Sequence, residues 1–253
     1  MRLSALIITK NEESNIGACL ESVSWTDEIV VVDAFSDDAT VEICKRYTDK
    51  VYLRQWDDYS SQKNFGHSKC RHDWILSIDG DERVSPALAE EIKQTIASKE
   101  YSAYRIRIRD YVCGKWIEHG GWPLQRHIRL YQKDRARWER KIHEKVVVDG
   151  AVGMLSNPLL HFSHPSIARF IGKMNTYTDV RAREWYEQGV RKSWARVILS
   201  SMRVFWRRYI RFQGFRDGSH GFVLAVLMAM YQFLERAKLW ELWYKDAHGI
   251  PDD

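Results

Sequence analysis

Short apolar runs recur through the first 100 residues, each separated from the next by a stretch with helical spacing. Leu3-Ser-Ala-Leu-Ile-Ile-Thr9 comes first, then Glu28-Ile-Val-Val-Val-Asp33, then Lys50 to Arg54, then Trp74-Ile-Leu-Ser-Ile78. Runs that are apolar on both faces suit strands buried inside a parallel sheet. Between them, Glu13 to Val23 sets Ile16, Cys19, Leu20 and Val23 at helical spacing, Thr40 to Tyr47 predicts a short helix, and Ser60 to Cys70 another. Pro86 suits a helix's first turn, and Ala87 to Ala97 continues with amphipathic spacing. This alternation predicts an α/β fold, with a mainly parallel central sheet flanked by helices and right-handed crossovers.

Sheets of this kind bind ligands at the carboxyl ends of their strands. The polar residues that close the runs are therefore the informative ones: Thr9 with Asn11 and Glu12, then Asp33, then Asp79 with Asp81 and Glu82. From Tyr101 the texture changes to alternation. Tyr104 to Arg109 and Arg126 to Tyr131 predict strands with one apolar and one basic face. Beyond Ser166 the pattern turns helical, basic and rich in Trp. There is no internal repeat and no low-complexity linker.

Composition narrows the class. With 253 residues, 45% of them hydrophobic, 11 Trp and only 5 Pro, the chain is neither disordered nor collagen-like. The net charge of +5 hides a split: residues 1–100 hold 12 Lys/Arg against 19 Asp/Glu, residues 101–253 hold 27 against 15. An acidic half that must meet an anionic ligand calls for a metal ion; a basic half favours phosphates, nucleic acid or an anionic membrane. Cys19, Cys44, Cys70 and Cys113 lack metal or disulfide spacing, so reduced thiols are expected. The apolar start of the chain is too short for a signal peptide. The longest apolar run, Phe222 to Leu234, falls short of the roughly 20 residues of a bilayer span. A cytoplasmic protein without a transmembrane helix is expected.

Asp79-Gly-Asp81-Glu82 carries the most specific chemistry. Carboxylates two residues apart at a strand end can face one hard cation, Mg²⁺ or Mn²⁺. The competing reading is an Asp-Gly hairpin turn, and the helical look of the next element favours the cation. No Gly-x-Gly-x-x-Gly or P-loop follows the first strand, so side chains and metal must meet any phosphate. At the start of the third helix, Lys63 can hold a nucleotide phosphate and Asn64 a base or ribose, although a helical Lys is usually only solvated.

Taken together, Ile7-Ile-Thr9-Lys-Asn11-Glu12-Glu13, Val30-Val-Val-Asp33 with Ser36-Asp-Asp38, Gln62-Lys-Asn64, and Trp74-Ile-Leu-Ser-Ile-Asp79-Gly-Asp81-Glu82 resemble the family-2 glycosyltransferases of GT-A fold. The resemblance covers residues 1–165. His143-Glu144 and Gly214-Phe-x-Asp-Gly218 further resemble the lipopolysaccharide inner-core glucosyltransferase subgroup. It implies a catalytic domain over 1–165, with a nucleotide-sugar half (1–100) and an acceptor half (101–165), and a basic aromatic helical extension over 166–253. It also implies an inverting, metal-dependent transfer of one sugar from a UDP-sugar donor to a glycolipid acceptor. Thr9, Asn11, Glu12 and Asp33 would hold the uridine, Asp79 and Asp81 the metal and diphosphate, and Lys63 would assist. His161 would be a third metal ligand, against the commoner structural role of a strand-end His.

Glu144 falls where this family often keeps its base; the alternatives are an ion pair with Lys141 or Lys145, and Asp149 as the base instead. Trp122 in His119-Gly-Gly-Trp122-Pro reads either as a sugar-stacking face or as a buried anchor. Without Gln-x-x-Arg-Trp or membrane-spanning helices, single addition fits better than polymer synthesis. Arg191 to Arg211 carries seven basic residues and no acidic one, which suits the inner face of an anionic membrane or a solvated helix face. A polyprenyl-phosphate or capsule acceptor is the alternative within the same chemistry. Nucleic-acid binding is the alternative from another class, disfavoured by the acidic first half and the lack of a recognised motif.

Overall fold

The computed structural model describes residues 2–98, 100–139, 145–191 and 193–251. The chain forms two compact units, one of Met1–Asp110 with Leu124–Ser163, the other of Tyr111–Pro123 with His164–Asp253.

The first unit opens with β1 (Leu3–Thr9), α1 (Ile16–Ser22), β2 (Glu28–Asp33), α2 (Thr40–Lys45), β3 (Val51–Leu53), α3 (Tyr59–Lys69) and β4 (Trp74–Asp79). β3, β2, β1 and β4 lie side by side and parallel. The doubly apolar runs have the predicted cause. Ala5 and Ile7 of β1 pack with Ile16 and Leu20, whereas Leu6 and Ile8 pack in a second cluster with Cys70 and Tyr131, so both faces are covered. α3 lies so close to the sheet that a Cβ on Gly66 would stand 2.2 Å from Leu6 Cδ1.

Beyond β4 the sheet changes sense. β5 (Glu82–Val84) precedes α4 (Pro86–Ser98), and β6 (Ala103–Val112) and β8 (Arg126–Gln132) add to β4 in the order β4-β8-β6, antiparallel throughout; between β6 and β8 in the chain comes β7 (Lys115–Trp116). β9 (Ala136–Glu139) and β10 (Lys145–Val148) form a separate antiparallel pair, and β11 (Val152–Met154) runs parallel to β6. β12 (Leu159–His164) closes the path between β6 and β5.

The structure departs from the sequence pattern at two places. The element after Asp81 is first a strand and only then a helix. β5 pairs with β12 rather than folding back on β4, so the Asp-Gly step is a turn between strands that do not pair with each other and not a hairpin. β8 also lacks the expected solvated basic face, because Arg129 is 7% exposed, in a run of buried residues with Leu130 and Tyr131. β6 does alternate, with Ile106 and Ile108 buried and Arg105 and Arg107 exposed.

The second unit contains α5 (Ile167–Glu187), α6 (Trp194–Trp206), a π turn over Arg207–Arg211, a 3-10 turn over Gly214–Asp217, and α7 (Ser219–His248). Its core gathers Val112, Ile117, Trp122, Phe170, Met174, Leu224 and Leu227. Trp122 is thus a buried anchor and not a sugar-stacking face. The Gly214-Phe-Arg-Asp-Gly218 segment is a packing device: buried Asp217 accepts hydrogen bonds from the His119 backbone N–H at 2.8 Å and lies 3.2 Å from its Nδ1. A Cβ on Gly221 would stand 1.7 Å from the Gly214 carbonyl oxygen, so α7 starts against this turn only with glycine there. Among the described residues no helix is long and apolar enough to cross a membrane.

Candidate active site

Register brings the strand-end residues to one edge. Thr9 of β1 is level with Asp33 of β2, and Ile8 with Asp79 of β4. The loops after β1 and β2 are stitched together: the Asn11 N–H donates to Ser36 Oγ, the Asp37 N–H to Asn11 Oδ1, and the Glu12 N–H to Thr40 Oγ1. Asp33 is fully buried and accepts from both the N–H and the hydroxyl of Ser36, at 2.8 and 2.5 Å. Asn11 and Phe35 sit in the left-handed region, at φ 52° and 57°, where non-glycine residues pay for their conformation. Phe35 leaves its ring 53% exposed at this edge. Thr9 Oγ1 is buried without a hydrogen-bond partner, with the Cβ position of Gly80 2.9 Å away.

At the end of β4 lies a buried charge cluster. Lys63, completely buried on α3, holds Nζ 3.1 Å from Asp79 Oδ1 and 4.5 Å from the centre of the Trp138 ring. Arg129 donates from one nitrogen to Asp79 Oδ2 at 2.9 Å and to Glu82 Oε1 at 2.6 Å. Glu82 Oε2 accepts the Asp79 N–H at 2.8 Å, which fixes the turn. Burial opposes ionisation of Asp79, but the Arg129 guanidinium and the Lys63 ammonium overcome it and hold the carboxyl well below the usual carboxylate range. For Glu82, 1% exposed, burial wins over Arg129 and pushes the carboxyl upward. Arg129 passed unnoticed in the sequence because it stands among solvated-looking basic residues. Its only trace there is the step from polar to apolar neighbours at Leu130-Tyr131.

Asp81 has a different neighbour. β12 pairs with β5 so that His161 is level with Glu82, and the Phe162 N–H donates to the Asp81 carbonyl at 2.9 Å. That docking puts His161 Nε2 3.5 Å from Asp81 Oδ1. Nδ1 of the same ring lies 2.8 Å from Asp110 Oδ1, a hydrogen bond in which the ring N–H donates and the carboxyl oxygen accepts. Burial alone would lower the His161 imidazole, and Asp81, Asp110 and Glu82 outweigh it, holding it well above the ordinary histidine range. Asp110 is another residue the sequence reading missed. Its signal is a carboxylate in step with Ile106 and Ile108, on the buried face of β6.

Among the described residues no cluster of three or more His, Cys, Asp and Glu side chains is arranged to hold a metal ion. The donors that do converge are the Asp81 carboxylate and the His161 imidazole, of which the carboxylate oxygen is the donor type suited to Mn²⁺ or Mg²⁺. Asp79 faces two cations instead. Asn64 is also occupied: its amide donates to the Trp138 carbonyl at 2.9 Å and accepts the Trp138 N–H at 3.0 Å, anchoring β9 to α3. Glu144 and His143 lie outside the described residues, and Asp149 is exposed just after β10.

A strand-end carboxylate pair on a half-parallel sheet is a general ligand site, and similarity to known proteins gives the family of the chain that carries it. The family model for glycosyl transferase family 2 matches residues 4–155. The chain belongs to that family. This glycosyltransferase has the GT-A fold, and the matched span runs from β1 through the two carboxylate turns to the end of β11. It is 35% identical over 273 residues to an uncharacterized glycosyltransferase of Rickettsia typhi, covering 100% of this chain and 91% of that one. It is 34% identical over 260 residues to the lipopolysaccharide core biosynthesis glycosyltransferase LpsC of Rhizobium meliloti, covering 99% and 96%. Similarity to the solved structure of Staphylococcus aureus TarS 1–349 covers 98% of this chain and 92% of that one, at 16% identity and a TM-score of 0.48.

Proposed function

We propose that this glycosyltransferase is a metal-dependent, inverting enzyme that adds one sugar, glucose being the expected one, from a UDP-sugar to a lipid-linked saccharide of the lipopolysaccharide core, at the cytoplasmic face of an anionic membrane. The observation that carries the donor half is the convergence of Asp81 and His161 beside the cation-clamped Asp79 at the end of β4. The acceptor half draws on the full-length similarity to a lipopolysaccharide core enzyme.

In this reading Asp81 and His161 would hold Mg²⁺ or Mn²⁺, which when bound would supply positive charge against that developing on the leaving diphosphate. Lys63 and Arg129 fix the Asp79 carboxylate, whose exposed edge orients the donor. Thr9, Asn11, Glu12 and the Asp33 loop cradle the uridine, and Phe35 offers an exposed ring to the base. Asn64 supports the site by holding β9. The acceptor oxygen bonds to the anomeric carbon as the bond to the diphosphate oxygen breaks on the opposite side. Glu144 takes the acceptor hydroxyl's proton.

The test is transfer of labelled glucose from UDP-glucose to purified core acceptor by the wild-type protein and by Glu144→Gln. The variant should keep donor affinity and lose transfer by about two to four orders of magnitude, the scale of general-base catalysis. Wild-type rates in the variant would move the base to Asp149. Transfer to a polyprenyl phosphate alone would change the acceptor class.

A further inference from the structure

α6 is apolar on two sides. Val197, 3% exposed, is its buried position. At 100° per residue, Ile198, Leu199, Met202 and Trp206 fall about 100° to 200° round from Val197, away from the packed side. They are 52, 61, 64 and 54% exposed. A helix lying on a domain in water carries polar residues in that sector; this one carries its most apolar side chains. Arg196, Arg203 and Arg207 fall about 240° to 280° round, along one flank of the stripe, and all three are exposed. The apolar surface continues beyond α6, because Trp194 touches Phe233 and Trp240 of α7, with ring centres 6.2 and 5.6 Å apart, and all three are exposed.

We infer that this face of α6 is a membrane-docking surface that lies in the plane of an anionic phospholipid bilayer. Apolar side chains enter the acyl boundary while the arginines reach the headgroups. Charge chooses the occupant: no acidic residue occurs between Glu187 and Asp217, so the whole segment complements negative headgroups. A second copy meeting this surface through a two-fold contact would bring together two basic stripes with no acidic residue to offset either. Exposed Trp194, Trp206 and Trp240 add side chains that favour the bilayer interface. The inference deepens the reading of a lipid-linked acceptor and rests on it, since the surface would bring the enzyme to the leaflet that holds the acceptor.

Flotation of the full chain with acceptor-free vesicles tests it, one set of phosphatidylglycerol and phosphatidylcholine, one of phosphatidylcholine alone. Wild type should float with the anionic vesicles and be released by salt. Met202→Glu alters a position that is 64% exposed, and should weaken binding about ten-fold or more while UDP-sugar binding is unchanged. Replacing Arg196, Arg203 and Arg207 by Gln should remove the preference for anionic vesicles. Flotation indifferent to both variants would overturn the inference. So would wild type that ignores vesicles, including the case in which it self-associates in sedimentation equilibrium and Met202→Glu dissociates it. Because the vesicles contain no acceptor, a negative result leaves the sugar-transfer reading to its own assay, and a failed transfer assay leaves the docking surface intact.

Discussion

Asp110 accepts the Nδ1 hydrogen of His161 at 2.8 Å and thereby turns the other ring nitrogen toward Asp81. Carboxylates in this position commonly fix the orientation of metal-binding histidines and raise their basicity, and removing them costs about 10- to 100-fold in metal affinity. Asp110 is only 2% exposed, and its second oxygen, Oδ2, has no hydrogen-bond partner, so its side chain bonds to His161 through Oδ1.

Asp110→Asn should therefore weaken Mn²⁺ binding by about ten-fold or more, measured by calorimetry with UDP present, and leave metal-free UDP binding where it was. Equal Mn²⁺ affinity in the two proteins would mean that His161 is not a metal ligand.

Arg129 is expected to be the most costly residue of the site to replace. Its guanidinium bridges the carboxylates of Asp79 and Glu82, and removing one partner of a buried ion pair costs about 3 to 5 kcal/mol. Arg129→Met should lose stability on that scale in urea unfolding. The sign of its pH dependence follows from Glu82. A carboxyl raised by burial binds its proton in the native state at pH values where the unfolded chain has released it, so its contribution falls as pH rises above the ordinary glutamate range. Without Arg129 the rise is larger, and the gap between variant and wild type should widen from pH 5 to pH 8. A gap that closes over this range would show that Glu82 is not the buried charge responsible.

Gly66 tests the packing that holds Lys63 in place. An added methyl would stand 2.2 Å from Leu6 Cδ1 and 2.9 Å from Val32 Cγ2, pushing α3 off the sheet. Overpacking of this kind costs about 1 to 3 kcal/mol, so Gly66→Ala should unfold at lower denaturant concentration than wild type. An unchanged midpoint would mean that α3 shifts freely, and that Lys63 is not rigidly placed.

The parallel half of the sheet was legible because its strands are buried on both faces and each ends in a polar residue. Local pattern determines both features. What escaped depended on partners far away in the chain. β5 is three residues long and is defined by its pairing with β12, about 80 positions on, so residues 82–84 look like a helix approach until the partner is known. Arg129 and Asp110 read as members of basic strands because burial of a charge is decided by the opposite charge it meets, 50 positions away from Asp79 in one case and 51 from His161 in the other. Asn64 looked available at the front of a helix, yet the backbone of Trp138 takes both ends of its amide. The arginines of α6 were visible in sequence, whereas the exposure of Met202 and Trp206 beside them emerged only once Val197 fixed which side is packed.

If Asp81 and His161 complete a metal-dependent nucleotide-sugar site at the end of β4, calorimetric titration of UDP-glucose into wild type and Asp81→Ala, each with and without Mn²⁺, will show it. Binding to wild type should require Mn²⁺ and be lost in Asp81→Ala, with both proteins folded alike. Binding of equal strength with and without the ion, or unchanged in the variant, would contradict it.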